Sequence, residues 1–320
     1  MPFSRILFFA LTMLLSACSD PVKEQITQQI PITEQRINAL SQALENGTVR
    51  NANLIKQYAA KVLEVKPELA PLINEFKKDA TPQGPMFLAL VDRLNTIKTN
   101  PQMFTSSQAL YEETLNLYQA ADPVLYSDAL SDPLNVLADM SDGQLPRVNA
   151  LSKSQSMQAN KAQDFGVGEQ LIGNPSYGSW QTDSSGMSFW AWYGMYSMMG
   201  DLFGSRRHSY SSWGQNRNYS YYNDYGRTRY SSPSQLKKQT DLDTRTRKSF
   251  AQRGQKFTSA YDKNRAGASG ISSKSKQAQS SLNKFRSTST NKSSYSKSSS
   301  SSSSFRNSST TTSRGFSRGK

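Results

Sequence analysis

Apolar side chains recur at helical spacing from about residue 32 to residue 140. Ile37, Leu40 and Leu44 fall at i, i+3 and i+7, with Thr33 as a candidate cap. Glu45-Asn46-Gly47 reads as a helix stop, because glycine takes the left-handed conformation at little cost. Leu54, Ile55, Tyr58, Ala59, Val62 and Leu63 make a second stripe, ending before Pro67. Leu69, Leu72, Ile73 and Phe76 make a third. Phe87, Leu90, Val91, Leu94 and Ile97 make a fourth, bounded by Pro82 and Pro85 before it and Pro101 after it. Leu110, Tyr111, Leu115 and Tyr118 make a fifth, capped by Thr105, Ser106 or Ser107. Short helices are expected over 124–130 and 134–140, each just after a proline. No stretch alternates polar and apolar for long enough to suggest a strand. The expectation is an all-α protein, a small antiparallel helical bundle over 32–140.

Past the bundle the pattern changes twice. Residues 141–187 are rich in Gln, Ser and Asn and read as a polar linker. Residues 188–204 are apolar nearly all round, through Phe189, Trp190, Trp192, Tyr193 and a run of methionines, with Gly194 and Gly200 interrupting. Three roles are open for this segment: completing the core, lying in a membrane interface, or forming a contact face for another protein. Its shortness and Asp201 argue against a membrane span. The residues expected to carry an apolar contact are Phe189, Trp190, Trp192 and Tyr193.

Charge separates the last third from the rest. Residues 1–204 hold 14 Lys+Arg and 20 Asp+Glu, a net −6, and residues 205–320 hold 24 and 4, a net +20; the two sum to +14. Tyrosines of 205–232 interleave with Arg206, Arg207, Arg217, Arg227 and Arg229. Without aliphatics this composition reads as unable to build a core, but suited to stacking and cation–π contact. A transient helix is expected around 234–248; beyond it serine and threonine dominate, with an unbroken serine run at 298–304 and an Arg/Gly-rich end. Residues 205–320 therefore read as a long disordered basic tail binding a polyanion through those arginines.

The N-terminus supplies an address. Arg5 precedes ten apolar residues from Ile6 to Leu15, too short to span a bilayer and of the length of a signal-peptide core. Leu15-Ser16-Ala17-Cys18 follows directly, and Cys18 is the only cysteine. This resembles the lipobox of bacterial lipoproteins. The resemblance implies cleavage after residue 17, a diacylglyceryl group on Cys18, and often a third acyl chain on the new amine. Two or more chains anchor stably where one does not. Ser19 after the cysteine, by the same resemblance, points to the outer membrane, lipid-anchored and facing the periplasm. Residues 18–31 read as a lipidated tether. The order of lipobox, Ser188-Phe189-Trp190, Met198-Met199-Gly200 and a Ser/Arg/Gly tail is also similar to uncharacterised enterobacterial envelope lipoproteins, which bring no activity with them.

Catalytic constellations are not apparent in the sequence. His208 is the only histidine, so neither a histidine triad nor a histidine metal cluster can form. Gly166-Val167-Gly168 lacks the rest of a phosphate-loop pattern, and Glu112-Glu113 reads as a solvated pair. The expectation is a non-enzymatic envelope lipoprotein without cofactor or metal, in a structural or assembly role. Its expected partners are the membrane, an anionic envelope polymer or lipid, and another envelope protein. The alternative is a surface-exposed, adhesin-like binder of DNA or lipopolysaccharide.

Overall fold

Helix α1 (Pro21–Glu45) begins well before residue 32, where the pattern predicts the first helix. Asp20 caps it by accepting the Val22 N–H at 3.1 Å, and Pro21 fits the first turn, where its missing N–H costs nothing. Residues 21–31, expected as part of a tether, are thus helix. The buried positions Ile26, Gln29, Thr33, Ile37, Leu40 and Leu44 step by three and four through Pro31, so one apolar stripe holds the helix together across that proline. Thr33 is not a cap. It lies mid-helix and donates to the Thr114 carbonyl at 3.4 Å. Asn46 and Gly47 (φ +69°) stop the helix as expected.

The computed structural model describes residues 20–149, 152–204, 207–262 and 271–290. The segment expected as a signal peptide, Cys18, Arg206, the serine run and the Arg/Gly-rich end lie outside the described residues. The predicted stripes appear as α2 (Arg50–Val65), α3 (Ala70–Asp79), α4 (Pro85–Thr99), α5 (Ser107–Ala120), α6 (Pro123–Ala129) and α7 (Ser131–Met140). Ser106 caps α5 through the Ala109 N–H, and Asp122 caps α6 through Val124 and Leu125. α1 packs chiefly along α5, and α2 against α3 and α7. Leu72, Ile73 and Phe76 of α3 are fully enclosed, each contributing about 1.5–3 kcal/mol of burial. Gly84 lets α4 start against the end of α3: a Cβ there would come within 2.7 Å of the Lys78 carbonyl oxygen.

The chain is mostly helical but not all-α, because residues 178–192 form a hairpin. β1 (Gly178–Thr182) pairs antiparallel with β2 (Ser188–Trp192), placing Trp180 opposite Trp190. The turn is held by Asp183, whose carboxylate accepts the backbone N–H groups of Ser185 and Met187 at 3.0 Å each. The region expected as linker is likewise part of the fold: α8 (Lys153–Asn160) lies in it, and Leu171, Ile172 and Tyr177 are buried.

The larger correction concerns the tail. Residues 207–262 are folded: α9 (Met198–Phe203) leads to α10 (Tyr210–Asn216), α11 (Arg227–Tyr230) and α12 (Pro233–Gln252), and α13 (Ser273–Thr290) follows. Tyr210, Trp213, Tyr219, Tyr221, Tyr222 and Tyr230 are buried. Their rings supply the apolar area that aliphatics would, and long-range hydrogen bonds satisfy several of their polar atoms. Tyr230 donates to the Ala120 carbonyl at 3.1 Å, and Tyr222 pairs with Ser231 and Gln239. Asp132 of α7 accepts Tyr221 N–H at 2.8 Å, Tyr222 N–H at 2.9 Å and the Ser220 hydroxyl at 3.0 Å. The tyrosine-rich segment therefore closes the helical core. No helix among the described residues is long and apolar enough to cross a membrane.

Candidate functional site

Strand parity builds one wall of the site. Asp183 N–H donates to the Met187 carbonyl and Tyr193 N–H to the Tyr177 carbonyl, so the odd residues of β1 make the hairpin's own hydrogen bonds. Gly178, Trp180 and Thr182 share one face with Ser188, Trp190 and Trp192. That face is packed. The Trp180 ring lies 5.2 Å from Trp190, 5.1 Å from Tyr210 and 5.2 Å from Trp213, and Trp190 lies 5.7 Å from Trp192. All four tryptophans of the chain thus form one cluster. The indole N–H groups of Trp180 and Trp190 are buried and find no acceptor there.

The opposite wall is α12. Ser232 and Gln235 form a reciprocal capping box and Pro233 takes the first turn. Leu242 and Gln239 point inward; Gln239 accepts from Arg227 at 2.8 Å and donates to Tyr222 at 3.0 Å. Asp243 accepts the Tyr210 hydroxyl at 2.9 Å, tying the helix to the aromatic cluster. Ser234, Lys238, Asp241 and Arg245, spaced by three and four, line the groove that remains between helix and hairpin. The groove is open-sided, about 930 Å³ in volume, with Trp180, Trp190 and Tyr193 on the hairpin side and Asp92 of α4 below.

The expected contact residues divide between two faces. Trp190 is buried at the groove, Trp192 packs on it, and Tyr193 stands 47% exposed at the rim. Phe189 faces the other way, under the Arg207 guanidinium at 4.7 Å. The expected polyanion set divides more sharply. Arg217 is 2% exposed and is consumed by Asp224 and the carbonyls of Asn218 and Ala260. Arg227 binds Gln239 and Thr240 and lies over the Tyr261 ring at 4.2 Å. Arg229 donates to the Tyr225 carbonyl at 3.0 Å. Of the five, Arg207 alone among the described residues offers a largely exposed side chain, and Arg206 lies outside the described residues. Buried arginines amid tyrosines act here as internal clasps, which their sequence neighbours do not reveal.

Buried acids sit apart from the groove. Asp79 accepts the hydroxyls of Tyr196 and Tyr177 at 3.2 and 3.4 Å, and burial pushes its carboxyl well above the usual range. Burial pushes Asp132 up to about 7, against the pull of its three donors. Glu113, expected to be solvated, is buried and accepts Arg93 at 2.7 Å. Glu169 is raised by burial despite the Phe165 N–H and Arg147 beside it. Each carboxyl is enclosed by its partners, so its role in this fold is to hold segments together. Burial also lowers the pKa of His208, whose ring lies edge-on to Phe165. Among the described residues no three His, Cys, Asp or Glu side chains converge on a position for a metal ion.

Trp180, Lys238, Asp241, Arg245 and Asp92 were not singled out in the sequence. The capping box at Ser232 and the three-four spacing on α12 carried a signal for the helix; nothing in the spacing indicated which wall it would face. The chain matches no family model, no curated protein and no solved structure.

Proposed function

We propose that the chain is a non-enzymatic bacterial envelope lipoprotein, anchored by lipid on Cys18 in the outer membrane and facing the periplasm. It acts as a structural or assembly component through contacts of its folded domain. The observation that carries this reading is Leu15-Ser16-Ala17-Cys18 at the end of a short apolar run. The fold gives it mechanical support. α1 starts at Pro21, three residues after the cysteine, so an anchored domain would be held close to the bilayer and not on a long tether.

Polyanion contact shifts to different residues in this reading. The exposed Lys237, Arg247 and Lys248 of α12, with Arg207, replace the clasping arginines as candidates. Such contact weakens steeply with salt. The alternative, a surface-exposed binder of DNA or lipopolysaccharide, is favoured by the same cations and differs in topology. Protease added to intact cells cleaves the domain in the surface-exposed case and spares it in the periplasmic one.

The deciding experiment is palmitate labelling with membrane fractionation of the wild type and Cys18→Ala. Label and outer-membrane density, both lost in the variant, support the proposal. An unlabelled, soluble, full-length wild type removes it.

A further inference from the structure

We propose that the groove between the hairpin and α12 binds a neutral saccharide chain. This goes beyond the anchoring proposal and does not depend on it. Three features of the groove converge on that ligand class. On its hairpin wall Trp190 is buried, Trp180 is partly exposed and Tyr193 is exposed, so Trp180 and Tyr193 are the aromatic rings open to a ligand. The C–H faces of a sugar ring pack on such rings, while its edges still need polar partners. Those partners line the groove as hydroxyls and amides: Thr182 and Ser188 on the hairpin, Ser234 and Gln235 on α12.

Charge provides the second argument. Asp92 and Asp241 line the groove together with Lys238 and Arg245, so its ionic side chains sum to zero. A polyanion would meet two carboxylates there and gains nothing from this site over the exposed Lys237, Arg247 and Lys248 outside it. A neutral polyhydroxylated chain can use all four as hydrogen-bonding partners, since charged groups bond hydroxyls more strongly than neutral ones.

Shape provides the third. The groove is open and follows the helix from Ser234 to Arg245, a rise of about 16 Å. An elongated ligand of several rings fits along it and can extend past both ends.

Because every tryptophan belongs to the cluster at this groove, intrinsic fluorescence reports it without a label. The test is a fluorescence titration of the full chain, in a detergent without a sugar headgroup. The probes are chitohexaose and maltohexaose, followed by an array of neutral glycans. Heparin and a pool of extended peptides run in parallel. The expected result is a saturable shift with at least one neutral glycan, unchanged between about 0.05 and 0.5 M salt. Tyr193→Ala and Asp241→Asn, both at exposed positions, each weaken it about ten-fold. No response across the glycan array overturns the proposal. So does a response confined to heparin and abolished by salt, which makes the groove a polyanion site, or one confined to peptides, which makes it a protein-docking groove.

Discussion

Asp132 of α7 accepts the backbone N–H of Tyr221 at 2.8 Å, across 89 positions of sequence. With Tyr222 N–H and the Ser220 hydroxyl on the same carboxylate, this is where the aromatic arginine-rich segment is fastened to the helical core. Asp132→Ala leaves three buried donors without an acceptor, at about 1–3 kcal/mol for each group left unpaired, less than additively. Urea unfolding should show the midpoint falling by that order, and trypsin should cut first between 217 and 229 in the variant.

The same carboxyl sets a pH dependence. Burial raises Asp132 from the usual range to about 7 in the folded chain, and Asp79 moves in the same direction. In the unfolded chain an aspartate titrates near 3.9. The folded state therefore holds more protons between those values, and stability falls as pH rises through that window. The urea midpoint should be higher at about pH 4.5 than at about pH 7.5, and Asp132→Asn should flatten the slope. His208, lowered by burial, contributes in the opposite direction, so the difference between wild type and Asp132→Asn carries the test: an unchanged slope in the variant contradicts the assignment.

Arg93 joins three segments: it pairs with buried Glu113 and donates to the Arg229 carbonyl. Removing one member leaves an uncompensated buried charge. Arg93→Met is expected to cost about 3–5 kcal/mol, and Arg93→Met with Glu113→Leu to recover a large part of it. Equilibrium unfolding of the two variants measures the difference.

Arg217 separates the surface and interior readings of the arginines. Arg217→Ala strands Asp224 and opens the clasp on Ala260, so it should destabilise by about 3–5 kcal/mol. Retention on a heparin column under folding conditions should not change. Arg207→Ala should do the reverse, leaving stability within about 0.5 kcal/mol and lowering retention.

Two glycines give a paired test of packing. A Cβ at Gly84 meets backbone of Lys78 and Asp79 at under 3 Å, so Gly84→Ala forces α3 and α4 apart and costs about 1–3 kcal/mol. At Gly200 the nearest atom is 3.8 Å away, within α9. Gly200→Ala should be neutral or stabilise by up to about 1 kcal/mol. Thermal unfolding of both variants decides the matter.

The aliphatic stripes were legible because Leu, Ile and Val at three-four spacing name their own buried face. The start of α1 was not, since Pro31 reads as a boundary while Ile26 and Gln29 continue the stripe beyond it. Strand alternation at Trp180 and Trp190 was obscured by its brevity, and the apolar run through Phe203 hid the break after Trp192, where Gly194 takes φ +44°. The tyrosine-rich segment was misread for a physical reason. Whether a tyrosine is buried depends on what its ring and backbone meet, and the groups that hold these (Ala120 and Gln239 on the Tyr230 and Tyr222 hydroxyls, Asp132 on the Tyr221 and Tyr222 backbone) are remote in sequence or on another element. The groove was invisible for the same reason, since its two walls belong to segments about fifty residues apart.

The central claim is that residues 207–262 complete the folded core. The most direct measurement is thermal unfolding, by near-ultraviolet circular dichroism, of the chain ending at 290 and of the chain ending at 204. The account predicts one cooperative transition for the longer chain. It predicts a lowered or vanished transition for the shorter one, whose α5, α6 and α7 have lost Tyr219, Tyr221, Tyr222 and Tyr230 from the shared core. Equal midpoints for the two chains would make the segment an appendage and contradict the account.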